Sequence, residues 1–118
     1  MTLEKEKTVE ITAADAPFAP EEELGVYKLK RWTWYEKQVC MQRATTIIDA
    51  KKGMVETPMP EYNTHMLIMT LVESPLKLTG DPDVDFERFK TLDADVGDLL
   101  FQAASSINMI TPEEKKDF

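Results

Sequence analysis

At 118 residues, with 42% hydrophobic and 31% charged content, the chain has the make-up of one globular domain rather than a disordered one. Its 22 acids outnumber 14 bases for a formal charge of −8, which repels phosphate backbones and argues against general nucleic-acid or anionic-membrane binding. A single cysteine, Cys40, excludes an intramolecular disulfide; Met1–Lys7 lacks the apolar core of a signal peptide, and no apolar run nears the roughly 18 residues of a membrane span, so a cytoplasmic protein is expected.

Thr8-Val9-Glu10-Ile11-Thr12 alternates polar and β-branched residues and predicts a short strand. Residues 13–24 hold Pro17, Pro20 and the acid run Glu21-Glu22-Glu23, which read as a long loop. Residues 26–32 predict a second strand, with Tyr27 and Leu29 on one face and Lys28 and Lys30 on the other. An antiparallel pair of strands is marginal alone and needs helices to pack on.

The longest predicted helix starts at Arg31-Trp32-Thr33-Trp34-Tyr35-Glu36, where both tryptophans stand. Thr33 and Glu36 have the spacing of a capping box, in which each side chain takes the other's backbone N–H. Cys40, Ala44, Ile47 and Ile48 fall at helical spacing, so the helix is expected over about Trp34 to Lys51, with Gly53 as its left-handed cap. The aromatic corner is expected to anchor the core. Thr57-Pro58-Met59-Pro60 is a rigid connector. A second helix, about Glu61 to Glu73, is apolar nearly all round from Met66 to Val72 and is expected to be the most buried. Residues 84–89 predict a short helix burying Phe86 and Phe89. Asp93 caps a third long helix, about Ala94 to Asn108, whose stripe is Val96, Leu99, Leu100, Ala103 and Ile107; Gly97 within it suggests close packing. Thr111-Pro112-Glu113-Glu114 signals one more helix start before Phe118. The expected fold class is thus mainly α: about four helices with a short N-terminal two-stranded β element. Residues 1–24 form the strand and acidic Pro/Ala loop and residues 25–118 the helical part of one domain.

No catalytic constellation, cofactor motif or metal site is legible. His65 is the only histidine and has no partner for acid–base or metal chemistry. Asp81-Pro82-Asp83-Val84-Asp85 begins like a calcium loop, but Phe86 and Leu92 occupy the places that need glycine and glutamate, so a turn and helix cap is the better reading. Lys28, Lys30 and Arg31 beside Tyr27 and Trp32 are a small basic-aromatic patch; a solvated strand face paired with Glu21–Glu23 outweighs single-strand nucleic-acid binding there. A non-enzymatic protein is expected.

The order of elements resembles the small tail assembly chaperones of long-tailed bacteriophages over residues 26–118. The resemblance rests on the helix start Lys30-Arg31-Trp32-Thr33-Trp34-Tyr35-Glu36, on the apolar helix ending in Leu71-Val72-Glu73-Ser74-Pro75, and on Leu92-Asp93-Ala94-Asp95-Val96-Gly97-Asp98-Leu99-Leu100 preceding a helix that ends near Ile107-Asn108. The acidic loop at 13–24 has no counterpart in that pattern. The resemblance implies a chaperone that coats the long, helical tape measure protein while tail-tube subunits polymerise, acting in the host cytoplasm and without cofactor. It also implies a longer form made by ribosomal frameshifting, with the helix signalled at Thr111 completed there. Tyr27, Trp32, Trp34 and Tyr35 are the candidate partner contacts, and a homo-oligomer is compatible with the pattern. The alternative is a small acidic protein–protein adaptor or regulatory module, of phage or cellular origin, using the same aromatic corner.

Overall fold

The computed structural model describes residues 5–108. It corrects the expected class: with 47% helix and 21% strand, four helices and two small sheets, the fold is α+β rather than mainly α. In chain order the elements are β1 (Glu6–Ile11), β2 (Gly25–Lys30), α1 (Trp34–Ala44), β3 (Thr46–Asp49), β4 (Met54–Glu56), α2 (Met59–Thr70), β5 (Leu71–Glu73), α3 (Pro82–Phe89) and α4 (Ala94–Asn108), with a 3-10 turn at Glu21–Glu23.

Two departures from the expected elements make the difference. The first helix ends at Ala44 instead of continuing to Lys51, because Thr45-Thr46-Ile47-Ile48 is an unbroken β-branched run that loses rotamer freedom in a helix and suits a strand. Gly53 is therefore not a helix cap: with φ +67° it serves the turn between β3 and β4, which pair antiparallel. The second helix gives up its last three expected residues, which become β5 and pair antiparallel with β2 through Lys28↔Glu73 and Leu29↔Leu71. Sheet pairing satisfies the backbone of Leu71–Glu73 as well as another helical turn would, and it also widens the sheet to β1-β2-β5.

β2 is the centre of that sheet, and Tyr27 and Leu29 on its inner face are fully buried. β1 pairs with it from Glu6↔Lys30 to Ile11↔Gly25 and adds Ile11 to the same core. Gly25 needs its φ of +142°, and a Cβ there would stand 3.3 Å from that of Pro75. α4 packs across β1 and β2 and against α2, with Val96, Leu100, Ala103, Ala104 and Ile107 buried. α1 and α3 flank α2. Asp93 caps α4 by accepting from the N–H of Asp95 at 3.1 Å, whereas Gly97 leaves only an ordinary 3.8 Å contact with Leu92 and is not a close-packing point. The helix signalled at Thr111 lies outside the described residues.

Buried polar groups hold the layers together. The phenol of Tyr27 donates to the carbonyl of Glu23 at 2.6 Å. Burial, helped by the Glu23 carboxylate and opposed by Arg88, pushes that phenol up to about 12. The carboxylate of Glu23 is itself buried, accepting from Arg88 at 3.1 Å and from the N–H of Asp93 at 2.9 Å. The acid run thus pairs with α3 and the start of α4, not with the lysines of β2.

Candidate partner-binding surface

The corner between β2 and α1 decides which aromatics face solvent. Arg31 donates to the carbonyl of Ile107 at 2.8 Å, and the side-chain oxygen of Asn108 accepts from the N–H of Trp32 at 2.9 Å. The Asn108 amide returns a bond to the carbonyl of Lys30 at 3.2 Å. The C-terminal turn of α4 thereby clamps the end of the strand and turns Trp32 inward, where it meets Tyr62 edge-on at 6.2 Å. The capping box then fixes the helix start: Glu36 N–H to Thr33 Oγ1 at 3.1 Å, and Thr33 N–H to Glu36 Oε1 at 2.8 Å. Lys30 holds the second oxygen of Glu36 at 2.7 Å. Partial burial works to raise the Glu36 pKa, but the bonds from Lys30 and Thr33 outweigh it and leave it lowered.

The four aromatics of the corner therefore have opposite fates. Tyr27 and Trp32 are core residues, 0% and 9% exposed, and present no surface to a partner. Trp34 and Tyr35, in the first turn of α1, are 75% and 72% exposed. Met41 follows Trp34 by seven residues, so it lies on the same helix face, and it too is exposed. At the far end of α1, roughly 16 Å away along an 11-residue helix, stands the β3–β4 hairpin. Ile47, Ile48, Met54 and Val55 of the hairpin, and Met59 at the start of α2, are all exposed. Large apolar side chains are thus exposed both on α1, at Trp34, Tyr35 and Met41, and on the hairpin that follows it. Ile47 and Ile48, expected on the apolar face of the first helix, stand instead on the exposed hairpin, because the β-branched run Thr45-Thr46-Ile47-Ile48 favours a strand.

The basic-aromatic patch is not assembled. Lys28 pairs with Glu6 at 3.2 Å, Lys30 with Glu36, and Arg31 with the Ile107 carbonyl, while both aromatics are inside.

A groove of about 380 Å³ between α2, β5 and the turn before α3 holds His65, Arg43 and Asp85 among apolar side chains such as Ile68, Met69 and Leu78. Its polar groups are used within the fold. Asp85 accepts from the N–H and hydroxyl of Thr79 at 2.8 and 3.0 Å and from the N–H of Gly80 at 3.2 Å, and so closes the turn before α3. Arg43 reaches Asp83 at 3.4 Å. His65 stacks on Phe86 with ring centroids 4.5 Å apart, and Lys90 lies 5.0 Å over the same ring. Burial first, then the Arg43 guanidinium, holds the His65 pKa below its ordinary value, against Asp83 and Glu61. The Asp81 carboxylate caps α3 through the N–H of Asp83 at 2.9 Å, which is the turn-and-cap role read from the sequence.

Cys40 is buried with its thiol pushed up to about 11 by that burial, and it donates to the Tyr62 carbonyl at 3.4 Å. A thiol so protonated is a poor nucleophile. Among the described residues there is no cluster of three or more side chains able to hold a metal ion, and no helix is long and apolar enough to cross a membrane. Comparison with family models, curated proteins and solved structures returned no match.

Proposed function

We propose that this protein is a non-enzymatic tail assembly chaperone that binds an amphipathic helix of the tape measure protein through the outer face of α1. The observation that carries the reading is the exposure of Trp34 and Tyr35 on a helix turn that a capping box and a strand clamp hold rigid. Tryptophan and tyrosine anchors dominate the energetics of protein interfaces, and a rigid support reduces the entropy lost on docking. Met41, on the Trp34 face of the same helix, adds an adaptable contact. A partner helix laid along α1 offers residues at i, i+3, i+4 and i+7 to such a row. The acidic remainder of the domain keeps the complex soluble while a long apolar partner is covered.

The experiment is co-expression with the tape measure protein, the very long helical protein that this reading requires as partner. Wild type keeps that protein in the soluble fraction, and Trp34→Ala with Tyr35→Ala loses it without lowering the melting temperature of the domain. Precipitation of the long protein in the presence of wild type overturns the reading, as does full solubilisation by the double variant.

A further inference from the structure

The β3–β4 hairpin is a built arm that, among the described residues, no helix or strand backs closely. At its base the Thr45 hydroxyl donates to the Met41 carbonyl at 2.6 Å and lies 2.7 Å from the hydroxyl of Thr57. At its tip Asp49 accepts from the N–H groups of Lys51 and Lys52 at 3.0 and 3.3 Å. Yet each strand packs on the other far more than on any other element, and all of their side chains but Asp49 are exposed. A two-stranded ribbon is marginal in water, and it leaves two strand edges unpaired.

The two edges are not equivalent. The register runs Thr46↔Glu56, Ile47↔Val55, then Asp49↔Met54, so Ile48 is an extra residue and β3 carries a bulge, a device that blunts an edge against further pairing. β4 is regular. Charge narrows the occupant further. The whole chain carries −8 and resists self-association, but residues 46–56 hold Asp49 and Glu56 against Lys51 and Lys52 and are locally neutral.

We propose that β4 pairs antiparallel with β4 of a second copy across a two-fold axis, giving a four-stranded sheet β3-β4-β4′-β3′. The register that uses all three residues of β4 and keeps like faces together sets Val55 against Val55 of the other copy and Met54 against its Glu56. It brings the turn residue Lys52, which leads into Met54, to the end of β4 that holds Glu56 of the other copy, opposite charges meeting twice by symmetry. The pairing continues both ladders, gives each copy a hydrogen-bond partner for its free edge, and aligns the paired Ile47 and Val55 of both copies on one face. An interface this short is of the weak class, under about 1,200 Å² in all, so the dimer belongs to high protein concentration.

Sedimentation equilibrium of the full chain over roughly 10–500 µM tests it, those limits bracketing weak association. Wild type shifts from monomer towards dimer; Val55→Asp stays monomeric with an unchanged melting temperature, since Val55 is outside the core. Lys52→Glu and Glu56→Lys each weaken the dimer at least about tenfold, two like-charge contacts replacing two attractive ones, and the double swap restores it. A wild type that is monomeric throughout, a Val55→Asp chain that dimerises normally, or a double swap no better than the singles overturns the proposal. The dimer contact uses the β4 edge and neither Trp34 nor Tyr35, so loss of dimer leaves the partner test above intact.

Discussion

Replacing each tryptophan in turn separates core from surface at two positions only two residues apart. Trp32 is 9% exposed and touches Tyr62, so Trp32→Ala removes a ring that buries on the order of 150–250 Å² and leaves a cavity. The expected loss is about 3–5 kcal/mol, a large share of the roughly 5–15 kcal/mol that holds a small domain together. For a chain of this length that lowers the melting temperature by about 10–25 °C. Trp34 is 75% exposed, so Trp34→Ala changes stability by less than about 0.5 kcal/mol. Urea unfolding followed by far-UV circular dichroism reads both variants without depending on the residue removed. Each variant also keeps one tryptophan as a reporter: Trp32 alone emits to the blue and resists acrylamide quenching, and Trp34 alone emits like a solvated indole. The reasoning fails if Trp34→Ala costs more than about 1 kcal/mol, beyond what a surface change does, or if Trp32→Ala is tolerated.

Thr33→Ala removes one half of the capping box and is expected to destabilise by about 1 kcal/mol; an unchanged urea midpoint would remove the cap from the account of this corner. Glu23→Ala strands the Arg88 guanidinium and the Asp93 N–H; because Arg88 keeps some solvent and Glu22 lies 3.8 Å away, the loss falls at the low end of the buried-pair range, about 3 kcal/mol. Glu23→Gln keeps an acceptor for Asp93 and loses less, and equal losses in calorimetry would contradict the charge argument. His65, the only histidine, should titrate by NMR with a midpoint below 6.5. Since its folded pKa is depressed, the associated stability is fully present above pH 6.5 and is lost as pH falls through the folded pKa; a midpoint at or above 6.5 would show the ring is not shielded.

Local signals fixed by neighbouring residues were legible in the sequence. The capping box at Thr33, the alternation that faces Tyr27 and Leu29 inward, the Asp93 cap and the α4 stripe depend on residues within a few positions of one another, and they stand as read. What the tertiary structure decided are choices in which two local states compete. Ile47 and Ile48 satisfy helical spacing as well as they satisfy a strand, and only the antiparallel partner Met54–Glu56 settles them as β3. Leu71-Val72-Glu73 continues an apolar helix by pattern and becomes β5 because the edge of β2 lies beside it. The split between Trp32 and Trp34 follows from Asn108, 76 residues away in sequence from the N–H it accepts, which no window along the chain contains. Periodicity says which residues share a face; which face meets the core is set by contacts that only the folded chain brings together.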